Sequence, residues 1–442
     1  MTRRFFTGKF FGLSPNVIWM GVVSFLNDLS SDMIFPFIPI FLTSVLGASH
    51  TFVGLVEGIA DATASVLKAL SGRISDRWGR RKPLVVLGYS LSALAKPILA
   101  AAILPWHVLG VRFFDRVGKG TREAPRDALI SFSTERAMYG RAFGFHRAMD
   151  TAGAAIGPLV AFAVLPLIDQ NYRTLFLLSF VASFFAVIIL AVFVREVKSD
   201  GRAPAPTSAT PPAASVSIVY SIDTDGIRSP SSAGRALGGP APKVGGISFR
   251  QLGAPFFAFL AIATIASAGR ASEAFLILKA SDVGVAVALL PILYFAFNIT
   301  SAALAAPFGV MADRVGKRNT FSAGLLLFAA VYLGLAFGAT SRSIWLLFIM
   351  YGAYAALTEG VGRAIVAGLV APEVRATAFG IYNAAIGLAL LPASVVFGYL
   401  SQHFGSRIAF SYGAGLALIA AFGFILVRQT IKEPERGSRP FS

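Results

Sequence analysis

One phrase occurs twice in this chain, as GRISDRWGRR at residues 72–81 and as GVMADRVGKR at residues 309–318. The two aspartates, Asp76 and Asp313, are 237 positions apart in a chain of 442 residues. Nearly the same offset relates other short matches: Gly47 to Gly284, Arg126 to Arg363, and residues 142–144 to residues 378–380. Because unrelated matches would not share one offset, the sequence predicts an internal duplication.

The composition predicts a membrane protein. Hydrophobic residues make up 55% of the chain and charged residues only 14%, and the mean hydropathy is +0.70. A helix needs about 20 apolar residues to cross a bilayer, and twelve runs approach that length. We therefore expect an all-α fold with twelve transmembrane helices in two pseudo-symmetric six-helix bundles, over residues 15–44, 52–72, 82–103, 106–130, 140–165, 172–195, 252–274, 283–308, 319–338, 343–368, 376–400 and 408–427.

The distribution of basic residues predicts the orientation. The net charge of +17 comes largely from Lys and Arg in every second connection, as at residues 77–82 and 314–318. This is the positive-inside pattern, so we expect both termini and the central connection in the cytoplasm, in a multi-pass protein of the inner membrane, with no nucleic-acid partner. The chain has no cysteine, which excludes disulfides and thiolate metal sites. We expect neither a cofactor nor a metal.

The same patterns divide the chain into four regions. Residues 1–196 and 251–430 should form the two bundles, residues 197–250 a flexible linker rich in Pro, Ala, Ser and Gly, and residues 431–442 a tail. An even number of spans separates the repeats, so they keep the same orientation. Parallel repeats of this kind face each other across a central cavity, which is the expected transport path.

The fourth predicted helix carries many charges on one face. Ionised side chains inside a bilayer are costly, and each should have a partner or a function. One interpretation is self-neutralisation through the helical pairs Arg112–Asp115, Asp115–Lys119 and Lys119–Glu123, with further carboxylates on neighbouring helices completing a purely structural network. The other is function. The eight charged residues of this helix are Arg112, Asp115, Arg116, Lys119, Arg122, Glu123, Arg126 and Asp127.

Burial favours the neutral form of a carboxylate and a nearby cation favours its charged form, so a buried acid beside a base can gain or lose a proton as the protein moves. We assign proton coupling to Asp28, Asp32, Asp115 and Arg116, with Glu57 and Asp61 alongside them. The C-terminal half has fewer charges, and we expect it to contribute apolar and aromatic contacts to the substrate. The predicted substrate-binding residues from both halves are Arg112, Lys119, Arg122, Glu123, His146, Asp150, Arg270, Glu273, Tyr354 and Glu359.

These motifs resemble those of the major facilitator superfamily, and the resemblance covers nearly the whole chain. The repeated phrase is similar to that family's signature loop, which implies gating by Gly72, Asp76, Arg77, Gly79, Arg80, Asp313, Arg314 and Gly316. Two further segments resemble motifs of drug/proton antiporters: Arg116 to Gly120 on the fourth helix, and Gly144 with residues 153–158 on the fifth. Lys119 departs from the usual glutamine, and residues 161–162 lack the usual glycine pair. Residues 115–127 resemble a bacterial subgroup described only as permeases.

We therefore expect a secondary transporter that works as a monomer by alternating access and exports a small organic solute in exchange for protons. The surplus cations of the fourth helix leave open the transport of an anionic metabolite or a metal chelate. A third alternative is a membrane receptor or assembly factor that transports nothing. We expect no enzymatic activity, because the chain has no nucleophile and base at motif spacing and no phosphate-binding loop.

Overall fold

A computed structural model describes residues 13–78, 80–134, 139–197, 252–370 and 375–426. Within these ranges the chain forms twelve rods. The first, α1, is helical from Pro15 to Val45 with short irregular turns, and the seventh, α7, is interrupted after Gly269. The bounds are α1 Pro15–Val45, α2 His50–Trp78, α3 Lys82–Ala100, α4 Pro105–Phe132, α5 Tyr139–Val164, α6 Tyr172–Phe193, α7 Gly253–Asp282, α8 Leu290–Val315, α9 Lys317–Leu333, α10 Ser343–Leu369, α11 Arg375–Phe404 and α12 Ser406–Leu426.

Ten of these rods are long and apolar enough to cross a membrane. The remaining two, α2 and α4, have 29 and 28 residues, which is also sufficient length. They differ because charged residues on one side lower their hydropathy, and those charges face protein instead of lipid, as described below. The predicted number of spans and the all-α membrane fold are confirmed.

The duplication is visible in the packing. In the first half α1 packs on α5 and α6, α4 packs on α2 and α3, and α3 packs on α6. In the second half, in the same order, α7 packs on α11 and α12, α10 packs on α8 and α9, and α9 packs on α12. Each contact thus has a counterpart six helices later. Gly47 and Gly284, which are related by the offset of 237 positions, both have positive φ, at 67° and 86°. Only glycine adopts this conformation at little cost.

Several element boundaries differ from the sequence prediction. Helix α2 continues to Trp78 and α8 continues to Val315, so both repeated phrases begin inside a helix and not in a loop. The second phrase turns at Gly316, where φ is 104°. The eighth span, expected to begin at residue 283, begins at Leu290, because residues 273–282 complete α7 instead.

The predicted linker at 197–250 and tail at 431–442 fall almost wholly outside the described residues, and they stay predictions. Gly79 lies outside them too, as do the side chains of Asp76, Arg77 and Asp313.

Small residues allow the helices to approach closely. An added Cβ at Gly157 of α5 would lie 2.6 Å from the carbonyl oxygen of Leu29 in α1, so the two helices pack closely there. The contact between halves uses the same device. Gly54 of α2 faces the carbonyl oxygen of Ser394 in α11, and an added Cβ at Gly58 would lie 2.9 Å from that of Leu391.

The halves meet most extensively on one side of the membrane. We call the side that carries the repeated phrases the basic-loop face, and the other side the opposite face. Toward the opposite face one buried apolar cluster joins both halves, with Phe37 and Phe41 of α1 in the same core as Phe275 and Phe397. Toward the basic-loop face each half has its own core. The protein is therefore closed on the opposite face and divided on the basic-loop face.

The start of α6 offers a measurable test of local stability. The Asn171 side chain accepts hydrogen bonds from the backbone N–H groups of Arg173 and Thr174, at 3.0 and 3.2 Å. Replacing an N-cap of this kind with Ala costs about 1 kcal/mol. We expect Asn171→Ala to lower the free energy of unfolding by about that amount and Asn171→Ser to restore most of it, measured by denaturant titration in detergent. An unchanged stability of the Ala variant would contradict the capping role.

Candidate functional site

Asp28 and Asp32 lie on α1 at the seam between the halves. The Tyr294 hydroxyl of α8 donates to Oδ1 of Asp32 at 3.4 Å, and the Tyr294 ring lies 5.0 Å from that of Phe35. Oδ1 of Asp28 accepts from the amide of Asn27 at 3.0 Å. The ion pairs within 4.0 Å that the described residues form do not include either aspartate.

Cations of α4 face these two aspartates. Asp32 interacts electrostatically with Lys119 and Arg116 as well as with Asp28. Asp28 interacts with Lys119, with Arg122 and with Asp150 of α5. Part of the charged face of α4 is therefore directed toward α1 and the seam, and not toward lipid.

The second half contributes to the site through a helix break. α7 stops at Gly269, and Ser272 caps its second segment by accepting from the N–H of Ala274 at 3.3 Å. Arg270 lies in the break and Glu273 begins the new segment. Interrupted helices in transporters are tolerated where they line a cavity, since the freed backbone groups need polar surroundings.

Arg270 and Glu273 connect the break to both halves. Arg270 pairs with Glu359 of α10 at 3.9 Å, and the Glu359 side chain is 57% exposed. Arg270 interacts electrostatically with Tyr354, while Glu273 interacts electrostatically with Asp61 of α2 in the other half. The predicted residues Asp32, Asp61, Arg116, Arg270 and Glu273 thus meet at one seam.

Tyr294 is a functional candidate that the sequence analysis missed. It interacts with Asp32, Glu273 and Arg116, and so contacts both halves of the site. In the sequence Tyr294 is one aromatic among several in an apolar run, so no sequence signal distinguishes it. The side-chain amide of Asn298, four residues later, donates to the backbone carbonyl of Tyr294 at 3.0 Å. Only the packing of α8 against α1 identifies this tyrosine.

Other predicted residues lie inside the first half. Nη2 of Arg112 donates to both carboxylate oxygens of Glu57, at 2.7 and 2.9 Å, and the two side chains are 6% and 3% exposed. Nη1 of Arg122 donates to the Ser92 hydroxyl at 2.5 Å, and its guanidinium lies over the Tyr89 ring at 4.4 Å. These contacts join α4 to α2 and α3, so they favour a structural role for Arg112 and Arg122.

The predicted pairing within α4 is largely wrong. Only the Arg112–Asp115 pair forms, at 3.8 Å. Glu123 instead pairs with Lys68 of α2 at 2.8 Å, and Asp115 also lies 4.0 Å from its neighbour Arg116. The reason is the close packing of α2 and α3 on α4, which offers partners on other helices.

His146 and Asp150 form a pair on α5. Nδ1 of His146 lies 3.7 Å from Oδ2 of Asp150, and both side chains are largely buried. Nε2 of His146 and Oδ1 of Asp150 have no hydrogen-bond partner in the structure.

The remaining predicted sites are less informative. Arg80 and Arg314 are exposed at the basic-loop face, and the gating role of the repeated phrases stays a prediction. In the same ranges there is no cluster of three or more His, Asp or Glu side chains that could hold a metal ion.

Twelve membrane-spanning helices in two equivalent halves, closed on one face and with paired charges at the seam, define a secondary transporter. The family model described as Major Facilitator Superfamily matches residues 20–278 and 256–441. The chain belongs to this superfamily.

Relatives agree with that assignment. An uncharacterized MFS-type transporter of Methanocaldococcus jannaschii is 33% identical over 428 residues, which are 94% of this chain and 95% of that protein. A multidrug resistance protein, MdtH, of Photorhabdus laumondii is 32% identical over 153 residues, or 35% of this chain and 36% of that one. A crystal structure of a bacterial homologue of the human lysosomal transporter Spinster, in an inward-facing and occupied conformation, has a TM-score of 0.73 at 14% identity and covers 97% of this chain and 100% of its own.

Proposed function

We propose that this transporter exports a small organic solute in exchange for protons. The observation that carries the proposal is the position of Asp32, a carboxylate without an ion pair among the described residues that contacts Tyr294 of the other half. This contact joins α1 to α8 while the opposite face is closed. When the halves separate there, Asp32 loses its partner and meets water, so its proton affinity should change with the conformation.

The assignment of roles follows the geometry. Asp28 and Asp32 accept and release the proton, and Arg116 and Lys119 regulate their charge. Asp115 belongs to the same centre through Arg116, and Asp61 links it to Glu273. Arg270, Glu273, Tyr354 and Glu359 offer the solute both charged and aromatic contacts from the second half.

The protein lies in the inner membrane as a monomer. Its basic-loop face is cytoplasmic, because basic connections are retained on that side of the membrane. The divided face therefore admits solute from the cytoplasm. The similarity to a multidrug resistance protein supports export. It extends over 153 residues, or 35% of this chain. The cations of α4 keep the transport of an anionic solute as the second candidate.

The test is transport by purified protein in liposomes. A panel of labelled neutral, cationic and anionic organic solutes is screened for movement driven by a pH gradient, and the solute moved by the wild type is kept. We expect Asp32→Asn to reduce the pH-driven movement to that of empty liposomes, because the amide cannot carry a proton, while exchange of solute without a gradient continues.

Asp282→Asn removes the same charge at an exposed position on the last turn of α7, and it should behave as wild type. Undiminished gradient-driven movement in the Asp32→Asn protein would remove this residue from the mechanism. Movement of no solute by the wild type would favour the receptor or assembly role.

A further inference from the structure

A small cavity lies inside the first half, between α1, α3 and α4. All of the residues that line it belong to this half. Its volume is about 30 Å³, which is sufficient for one water molecule or small ion. The lining residues that matter here are Ser31, Ile34, Lys96, Leu99, Arg112 and Asp115.

Two buried cations at this cavity have N–H groups without acceptors. Lys96 is 3% exposed, and the only hydrogen bond shown for its ammonium, which carries three donors, is to the carbonyl of Ser92 at 3.2 Å. Arg112 is 5% exposed. Its Nη2 is engaged by Glu57, but its Nε has no hydrogen-bond partner. Leaving such donors unsatisfied in a low-dielectric interior is costly.

Lys96 is a cation without an ion pair within 4.0 Å among the described residues. Arg112 pairs with Glu57 at 2.7 Å, and Arg116 interacts with Asp115, Asp61 and Glu57. Asp115 is shared among several cations, and its contacts to Arg112 and Arg116 are long, at 3.8 and 4.0 Å. Of the cations that line the cavity, Lys96 is therefore the one whose charge is not compensated by a direct contact.

We propose that this cavity binds one small monovalent inorganic anion, of the size of chloride or bromide. The ammonium of Lys96 and the Nε–H of Arg112 would donate to it, with the Ser31 hydroxyl as a further donor. The apolar side chains of Ile34 and Leu99 exclude larger or multiply charged anions. The cavity shares Asp115 with the proposed coupling centre, but the tests below measure ion binding and not transport, so their failure is distinguishable from failure of the proposed function.

The first test is thermal unfolding of the purified protein in detergent, in chloride and in gluconate at equal ionic strength. Gluconate has the same charge but is too large for the cavity. We expect chloride to raise the melting temperature in a saturable manner, because it binds the folded state only. In Lys96→Met we expect this dependence to disappear. Lys279→Met is the matched control, since Lys279 bonds Ser406 near the opposite face at 3.0 Å, and it should keep the chloride dependence.

The second test uses the wild-type protein, so it does not require that a variant folds. Crystals of the wild type grown in bromide should show anomalous density between Lys96 and Arg112. Equal stabilisation by gluconate, a chloride effect that persists in Lys96→Met, or a cavity without bromide signal would each overturn the proposal, the last by showing that water fills the space.

Discussion

Arg112→Met is expected to lower the free energy of unfolding by about 3–5 kcal/mol, the usual cost of removing one partner from a buried ion pair. In the folded protein the Glu57 carboxylate is 3% exposed and accepts two hydrogen bonds from Arg112. Without that cation Glu57 must stay charged in a low-dielectric interior or take up a proton, and both cost free energy. Unfolding in mixed detergent micelles, followed by tryptophan fluorescence, measures the effect.

Two variants serve as controls. Lys68→Met breaks the Lys68–Glu123 pair, but Lys68 is 51% exposed, so we expect a loss below about 1 kcal/mol. The double variant Glu57→Met/Arg112→Met removes both charges and should recover most of the stability lost in Arg112→Met, since paired apolar replacements of buried ion pairs are often neutral. Equal losses in Arg112→Met and Lys68→Met would show that burial does not determine the value of these pairs.

Gly54→Leu is expected to force the halves apart on the opposite face. Even a Cβ at this position would overlap the carbonyl oxygen of Ser394 in α11, which is backbone and cannot rotate away. The contact of α2 with α11 must therefore widen. Overpacking of this kind costs about 1–3 kcal/mol, which is sufficient to move a balanced two-state equilibrium by about fivefold or more.

The chain has no cysteine, so spin labels can be attached at single introduced cysteines. Ala101→Cys and Ser341→Cys are exposed positions on the opposite face, one in each half. Pulsed electron resonance between them should show a longer distance in Gly54→Leu than in the parent. Gly110→Leu is the control, because an added Cβ there meets nothing within 4 Å. Identical distance distributions in all three proteins would contradict a tight contact at Gly54.

The same small contacts explain how the transporter can combine strong packing with movement. Gly54 and Gly58 place α2 directly against the α11 backbone, without long side chains that would interlock. On the basic-loop face the apolar cores of the two halves stay separate. Separation of the halves on the opposite face would therefore divide the apolar cluster that they share there and leave the two basic-loop cores intact.

Hydropathy and the offset of 237 positions were sufficient to predict twelve helices and a duplication, because these properties depend on the order of residues along one chain. The family was predicted from the resemblance of the motifs. The sequence analysis assigned roles to Asp32, Asp61 and Arg116 in one half and to Arg270 and Glu273 in the other, and these roles stay predictions. The predicted spans were correct in number and wrong by several residues at α2, α7 and α8, where charges and the break near Arg270 interrupt the apolar pattern.

Partners across helices could be known only from the packing. Helical spacing alone predicted Lys119–Glu123, but Glu123 pairs with Lys68 of α2, and Tyr294 became a candidate only because α8 brings it to Asp32. A sequence specifies which side chains share a face, because that depends on local backbone geometry. The choice of partner depends on how closely neighbouring helices approach, and here that distance is determined by glycines and small residues in contact with another backbone.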